Sequence, residues 1–227
     1  MEKIIFHKET KTFHLYNEEI SYIMCVLENG HMGQLYYGKR IHDKPDFSYL
    51  VEKCGRPMTS YIFEGDRSFS LEHIRQEYPV YGTTDYRHPA IEIMQENGSN
   101  ISEFKYVGYE ILKGKPSLKG LPATYTESEE EAETLKIILK DNLTGAKLTL
   151  LYTIFSKGSA IARSAHICNE GEKVLHLQTM MSLNLDLPDK DYVWMQLSGA
   201  WSRERYVKNR ILEQGITAID SMRGNSS

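Results

Sequence analysis

Short runs of β-branched and aromatic residues, separated by glycine, asparagine and proline turns, recur along the chain and leave little room for helix. Residues 20–27 and 33–37 flank Glu28-Asn29-Gly30, and Asn-Gly supplies the left-handed positions that a tight hairpin needs. Residues 4–6 and 12–16 flank the polar turn KETK, and residues 91–95 and 104–112 flank a second Asn-Gly turn, ENGSN. Further runs at 135–139, 148–155, 160–168 and 174–187 are joined by DNLTGAK, SKGS and NEGEK. Many of them alternate apolar with polar residues, as antiparallel strands with one buried face do. The expectation is an all-β fold: a large antiparallel β-sandwich with one short helix over residues 70–78. Ser70 caps that helix, Leu71, Ile74 and Tyr78 share a face, and Pro79 ends it. Residues 113–124 read as loop from their glycines and prolines.

With no fixed-period repeat and no low-complexity linker, residues 1–227 are expected to form a single domain with a sizeable core. A net charge of −4 without Lys/Arg runs argues against a nucleic-acid partner, which demands a basic stripe. The acidic run at 127–133 reads as a solvated loop. Cys25, Cys54 and Cys168 lack CxxC spacing, so no disulfide framework is expected and a reducing compartment is favoured. Cys25 and Cys168 lie inside apolar runs and read as small core residues. No apolar leader or membrane-length run is visible, and the expected location is the cytoplasm, away from membranes. Residues 211–219 read as a last strand-like stretch with no successor to pair with, which suggests a boundary inside a longer chain.

HExxH, P-loop, GxGxxG and GxSxG patterns are all missing. The histidines are scattered, and on strand faces they are more often hydrogen-bonded or solvated than metal ligands. No metal or cofactor is expected. Asp186, Asp189 and Asp191 cluster around Pro188, where a turn explains them better than paired-carboxylate catalysis does. Two aromatic islands follow no secondary-structure period: QEYPVYGTTDYRHPA at 76–90 and LSGAWSRER at 197–205. Asp85 and Arg87 suit a local ion pair that fixes the first island, and Asp66 beside Arg67 suits another. The tyrosines and tryptophans of the islands fit either of two roles. They can stack on sugar rings, or they can form rigid corners whose polar tips are met by Asp85, Arg87, Arg203 and Glu204.

Taken in order, LYYGK (35–39), DRSFSLEHIRQEYPVYGTTDYRHPA (66–90), KGLPATY (119–125), EAETLKI (131–137), LSGAWSRER (197–205) and SMRGNSS (221–227) resemble the bacterial α-galactosidases of glycoside hydrolase family 36. The resemblance covers essentially the whole chain. It implies the first part of an N-terminal β-supersandwich domain, which in that family precedes a catalytic β/α barrel and a small C-terminal β-domain. The family hydrolyses terminal α-1,6-galactosides such as melibiose and raffinose with retention, using two barrel aspartates. Lys44-Pro45-Asp46 copies only half of the family's nucleophile pattern and lies in the wrong domain, so no catalytic residue transfers to this chain. What the resemblance does imply is substrate contact and a homotetramer. A loop of one subunit's N-terminal domain helps close the neighbour's site, and the matching loop here is residues 42–67. Arg67 matches a family arginine that reaches the substrate pocket, and the acidic partner falls at Glu52, in a stretch that departs from the family pattern. An arginine and a carboxylate at a pocket rim suit sugar hydroxyls through charge-assisted hydrogen bonds. Arg67 equally suits a structural pairing with Asp66.

Three roles are therefore open: a non-catalytic domain of an α-galactosidase contributing assembly surfaces and pocket walls, an independent carbohydrate-binding module, or an oligomerisation platform whose loops never meet substrate.

Overall fold

Strand β3 (Ile20–Val26) is buried on both faces. Ile20, Tyr22 and Met24 enter one hydrophobic cluster, while Ile23 and Cys25 enter a second. Alternating side chains achieve this only where a separate layer covers each face. The computed structural model describes residues 3–120, 123–188 and 190–220 and shows both layers.

The first layer is a sandwich. β3 lies in an antiparallel sheet with β1 (Ile4–His7), β2 (Thr12–Tyr16) and β4 (Met32–Lys39), in the order β1-β2-β3-β4. A second four-stranded sheet has the order β6 (Lys105–Lys113), β7 (Ala132–Lys140), β8 (Ala146–Phe155) and β9 (Ile161–Asn169). Phe13, Leu15 and Tyr22 from the first sheet share one core with Leu135, Ile137, Leu150 and Tyr152 from the second. Each such side chain contributes about 1.5–3 kcal/mol when fully buried. A two-stranded sheet of β5 (Ile91–Gln95) and β10 (Leu175–Met180) adds Ile91 and Ile93 to that core. The β7–β8 turn depends on Gly145, whose φ of 76° and contact with the Gly171 backbone, 2.7 Å from where a Cβ would stand, exclude larger residues.

The second layer is a loop rather than a sheet. Phe47, Phe69, Leu71 and Ile74 pack onto Ile23, Cys25, Leu27 and Leu35. Residues between β4 and β5 thus form the lid of a small second core, which is why β3 reads as a continuous apolar run.

The all-β expectation holds, with differences of detail. The helix expected over 70–78 is reduced to one turn, in which the Ile74 amide donates to the Ser70 carbonyl (3.2 Å). From Arg75 onward the backbone pairs with β4 instead. The Gln34 amide donates to the Arg75 carbonyl (3.0 Å) and the Glu77 amide to the Met32 carbonyl (2.9 Å). A short helix barely repays its nucleation, so sheet pairing wins. The Asn97-Gly98 turn closes locally on Gln95, but β5 takes β10 as its partner, not β6. β10 stops at Met180, short of the expected 187. Cys25 is buried as expected, whereas Cys168 on β9 is exposed.

Residues Leu187–Ser227 form a second compact unit, separate from Met1–Asp186. It contains the hairpin of β11 (Val193–Ala200) and β12 (Arg203–Ile211). LSGAWSRER is therefore a strand-turn-strand, and its exposed Trp201 sits at the tip. Of residues 211–219, read from sequence as a last strand-like stretch, only Ile211 is in a strand, as the end of β12. Asp189 and the SMRGNSS motif lie outside the described residues.

Candidate functional site

Gln76 to Ala90 is held by its own polar groups. Gly82 and Asp85 exchange both backbone hydrogen bonds (2.8 and 3.0 Å) around Thr83 and Thr84, whose φ values are 50° and 76°. This is a two-residue hairpin turn built without glycine at its centre. The buried Asp85 carboxylate accepts from Arg87 Nε (2.9 Å), Arg87 Nη2 (3.0 Å) and Gln76 Nε2 (2.6 Å), so the predicted local ion pair is present. Arg87 also donates to the Leu71 and Ile74 carbonyls, tying the island to the preceding turn. Tyr78 is buried with its hydroxyl on the Met181 carbonyl. Tyr81 and Tyr86 meet edge to face at 5.5 Å and are exposed.

Beneath the island, Glu77 is fully buried. Its carboxylate accepts from the Tyr22 hydroxyl (2.7 and 2.9 Å) and the Tyr152 hydroxyl (2.8 Å), and Arg163 Nη2 lies 3.1 Å away. Arg163 in turn donates to both tyrosine oxygens (3.2 and 3.3 Å) and to the Asn184 carbonyl (2.7 Å). Both Glu77 oxygens, both tyrosine hydroxyls and both terminal nitrogens of Arg163 are engaged, the condition under which a buried network is tolerated. Burial pushes the Glu77 carboxyl upward, opposed by Arg163 and the tyrosine hydroxyls. Burial disfavours the Arg163 charge, but the surrounding Tyr152 and Glu77 oxygens outweigh it and hold the guanidinium protonated.

The loop at 42–67 is fixed at its base and open at its tip. Asp43 accepts from His14 Nδ1 (2.7 Å) and His7 Nε2 (3.0 Å), and the Pro45 carbonyl accepts from Thr10 Oγ1 (3.0 Å). Phe47 is wholly buried. Burial opposes the Asp43 charge, but the hydrogen bonds from His14 and His7 hold its carboxyl below the usual range. Burial lowers the His14 pKa despite its bond to Asp43. Asp46 caps the following turn by accepting from the Ser48 amide (2.7 Å).

On the C-terminal side, the Cys54 amide donates to the Ser68 carbonyl (3.2 Å), which closes the segment between them. Glu52 lies two residues before that closure and Arg67 one residue before its other side. Both side chains are exposed. Asp66 does not serve Arg67, because its carboxylate accepts from the Ser68 amide (2.8 Å) and hydroxyl (2.6 Å). Glu52 precedes the Cys54–Ser68 closure and Arg67 lies just inside it, both exposed, and no direct ion pair joins them among the described residues. In the second unit, Glu204 accepts from the Ser202 amide (2.7 Å) in its own turn, so each aromatic island is braced internally.

Sequence reasoning missed the Glu77–Arg163 ring and the His14–Asp43 contact. The strand period shows which face His14 shares, but not which loop residue reaches it. Among the described residues, no three His, Cys, Asp or Glu side chains are arranged to hold a metal ion. No helix there is long and apolar enough to cross a membrane.

Residues 30–227 match the family described as Glycosyl hydrolase family 36 N-terminal domain. The chain is 42% identical over 224 residues to α-galactosidase AgaA of Geobacillus stearothermophilus, covering 99% of this chain and 31% of that protein. It is 35% identical over 225 residues to α-galactosidase Mel36A of Lactobacillus acidophilus, again covering 99% and 31%. The crystal structure of a Lactobacillus brevis α-galactosidase superposes with a TM-score of 0.92 at 37% identity, over 96% of this chain and 30% of that one. An AgaA variant solved with raffinose superposes at 0.88 and 42% identity, over 94% and 30%. The chain therefore spans about a third of the length of these relatives. It belongs to the glycosyl hydrolase family 36 N-terminal domain family.

Proposed function

We propose that residues 1–227 are a single non-catalytic N-terminal domain of a cytoplasmic α-galactosidase, a retaining glycoside hydrolase of terminal α-1,6-galactosides such as raffinose and melibiose. The catalytic barrel and the C-terminal β-domain belong to the remainder of the longer protein. In the intact homotetramer this domain contributes assembly surface, and its 42–67 loop contributes a wall of a substrate pocket. Relatives supply the substrate class, since variants of AgaA have been solved with raffinose and with stachyose. The observation that carries the local reading is the pair of exposed side chains flanking the Cys54–Ser68 hydrogen bond. Arg67 is exposed, unclaimed by Asp66, and held beside the Glu52 arm by the Cys54–Ser68 hydrogen bond. A cation and a carboxylate presented together on a fixed base are suited to sugar hydroxyls.

The test is turnover of a chromogenic α-galactoside. The full-length protein is expected to hydrolyse it and the 227-residue chain to leave it intact. Turnover by the isolated chain overturns the assignment. A second reading, an independent carbohydrate-binding module, draws on the exposed Tyr81–Tyr86 pair as a stacking platform. It requires saturable heat on titrating raffinose into the isolated chain.

A further inference from the structure

We propose that His14 and Asp43 are positioning residues which, with Ser21, form a hydrogen-bonded relay that fixes the start of the 42–67 loop and so sets where Glu52 and Arg67 are presented. The inference rests on reading that loop as a wall of the sugar site.

The relay runs through three strands. The His14 ring on β2 is wholly buried and uses both nitrogens, Nδ1 toward Asp43 Oδ1 (2.7 Å) and Nε2 toward Ser21 Oγ (2.9 Å) on β3. An ionised carboxylate only accepts, so Nδ1 carries the proton and Nε2 accepts from the Ser21 hydroxyl. That frees the Ser21 oxygen to accept from the Ile41 amide (3.1 Å) just before the loop begins. His7 on β1 donates to the same Asp43 oxygen (3.0 Å).

A Ser–His–carboxylate order matches the connectivity of a hydrolytic triad. Here it does not serve as one, because Ser21 is completely buried and its oxygen is occupied by the Ile41 amide. Its geometry suits holding the Ile41 amide and the Asp43 carboxylate at fixed positions on the sheet. Phe47, edge-on to the His14 ring at 5.5 Å, seals the site and continues the anchor into the second core. An apolar residue at position 14 would fill the same space without specifying where Asp43 sits. Directional bonds specify it. Asp43 and then Phe47 are the successive anchors of the arm that leads to Glu52, so loss of the first loosens that arm.

The experiment is hydrogen exchange by mass spectrometry, with steady-state kinetics on raffinose, for Asp43→Ala and Asp43→Asn in the full-length protein. Asp43→Ala is expected to speed exchange of amides in 42–67 by about tenfold, as loss of charge-assisted anchoring allows local opening. Exchange in β7 and β8 stays unchanged, and Asp43→Asn, which keeps an acceptor, lies between wild type and Ala. KM rises while kcat changes little. Faster loop exchange with unchanged KM upholds the relay and removes the sugar-wall reading. Unchanged loop exchange, or equal acceleration in β7 and β8 in both variants, overturns the relay.

Discussion

Glu77 and Arg163 meet at 3.1 Å inside the sandwich, with the Glu77 side chain wholly buried and the Arg163 side chain 9% exposed. The pair joins the 76–90 island to β9, and its tyrosine partners add β3 and β8. It is the point where the aromatic island, both large sheets and the residues after β10 are fastened together.

Glu77→Gln leaves the Arg163 charge buried without its counter-ion. Breaking one side of such a pair costs about 3–5 kcal/mol. A lowered denaturant midpoint of that order is expected. Replacing Glu77 and Arg163 together by Leu and Met is expected to cost much less, since no orphaned charge remains. Equal losses in the single and double variants would contradict the role given to the ring.

His14 and His31 are both buried, and burial lowers the pKa of each below the ordinary 6.5. As pH falls, the unfolded chain takes up these protons first. The stability they provide is present above 6.5 and is lost as pH falls through their depressed folded values. Each group contributes at most about 1.4 kcal/mol per pH unit within that window. Thermal midpoints measured from pH 7.5 down to 5 should decline less steeply in His14→Gln than in wild type. Parallel curves would show that His14 does not set the slope.

Thr84 occupies the left-handed region at φ 76° and buries a hydroxyl that has no hydrogen-bond partner among the described residues. Thr84→Gly removes both penalties. A gain of about 1–2 kcal/mol is expected, read as a raised thermal midpoint. A loss of stability would mean that the threonine side chain makes a compensating contact.

Legibility in the sequence followed the range of the deciding interaction. β7 and β8 each have one core face, so their alternation announced them. Gly30 closes the β3–β4 hairpin within its own turn, so Asn29-Gly30 announced that too. The partner of β5 lies some eighty residues away in β10, and a local Asn97-Gly98 turn carries no information about it. The 70–78 segment has helical spacing, yet the exposed backbone of β4 captures Arg75–Glu77 first. Asp85 with Arg87 was readable because a single residue separates them. His14 with Asp43, and Glu77 with Arg163, depend on the assembled sheets and left no mark in spacing.

The central claim is that an anchored loop presents Arg67 to a galactoside. Its most direct test is the steady-state kinetics of Arg67→Ala in the full-length protein on raffinose, with oligomeric state checked in parallel. Loss of one charge-assisted hydrogen bond to substrate predicts a KM raised roughly tenfold or more, with assembly intact. Wild-type KM and kcat in an intact oligomer would contradict the claim and leave the loop a purely structural cover for the second core.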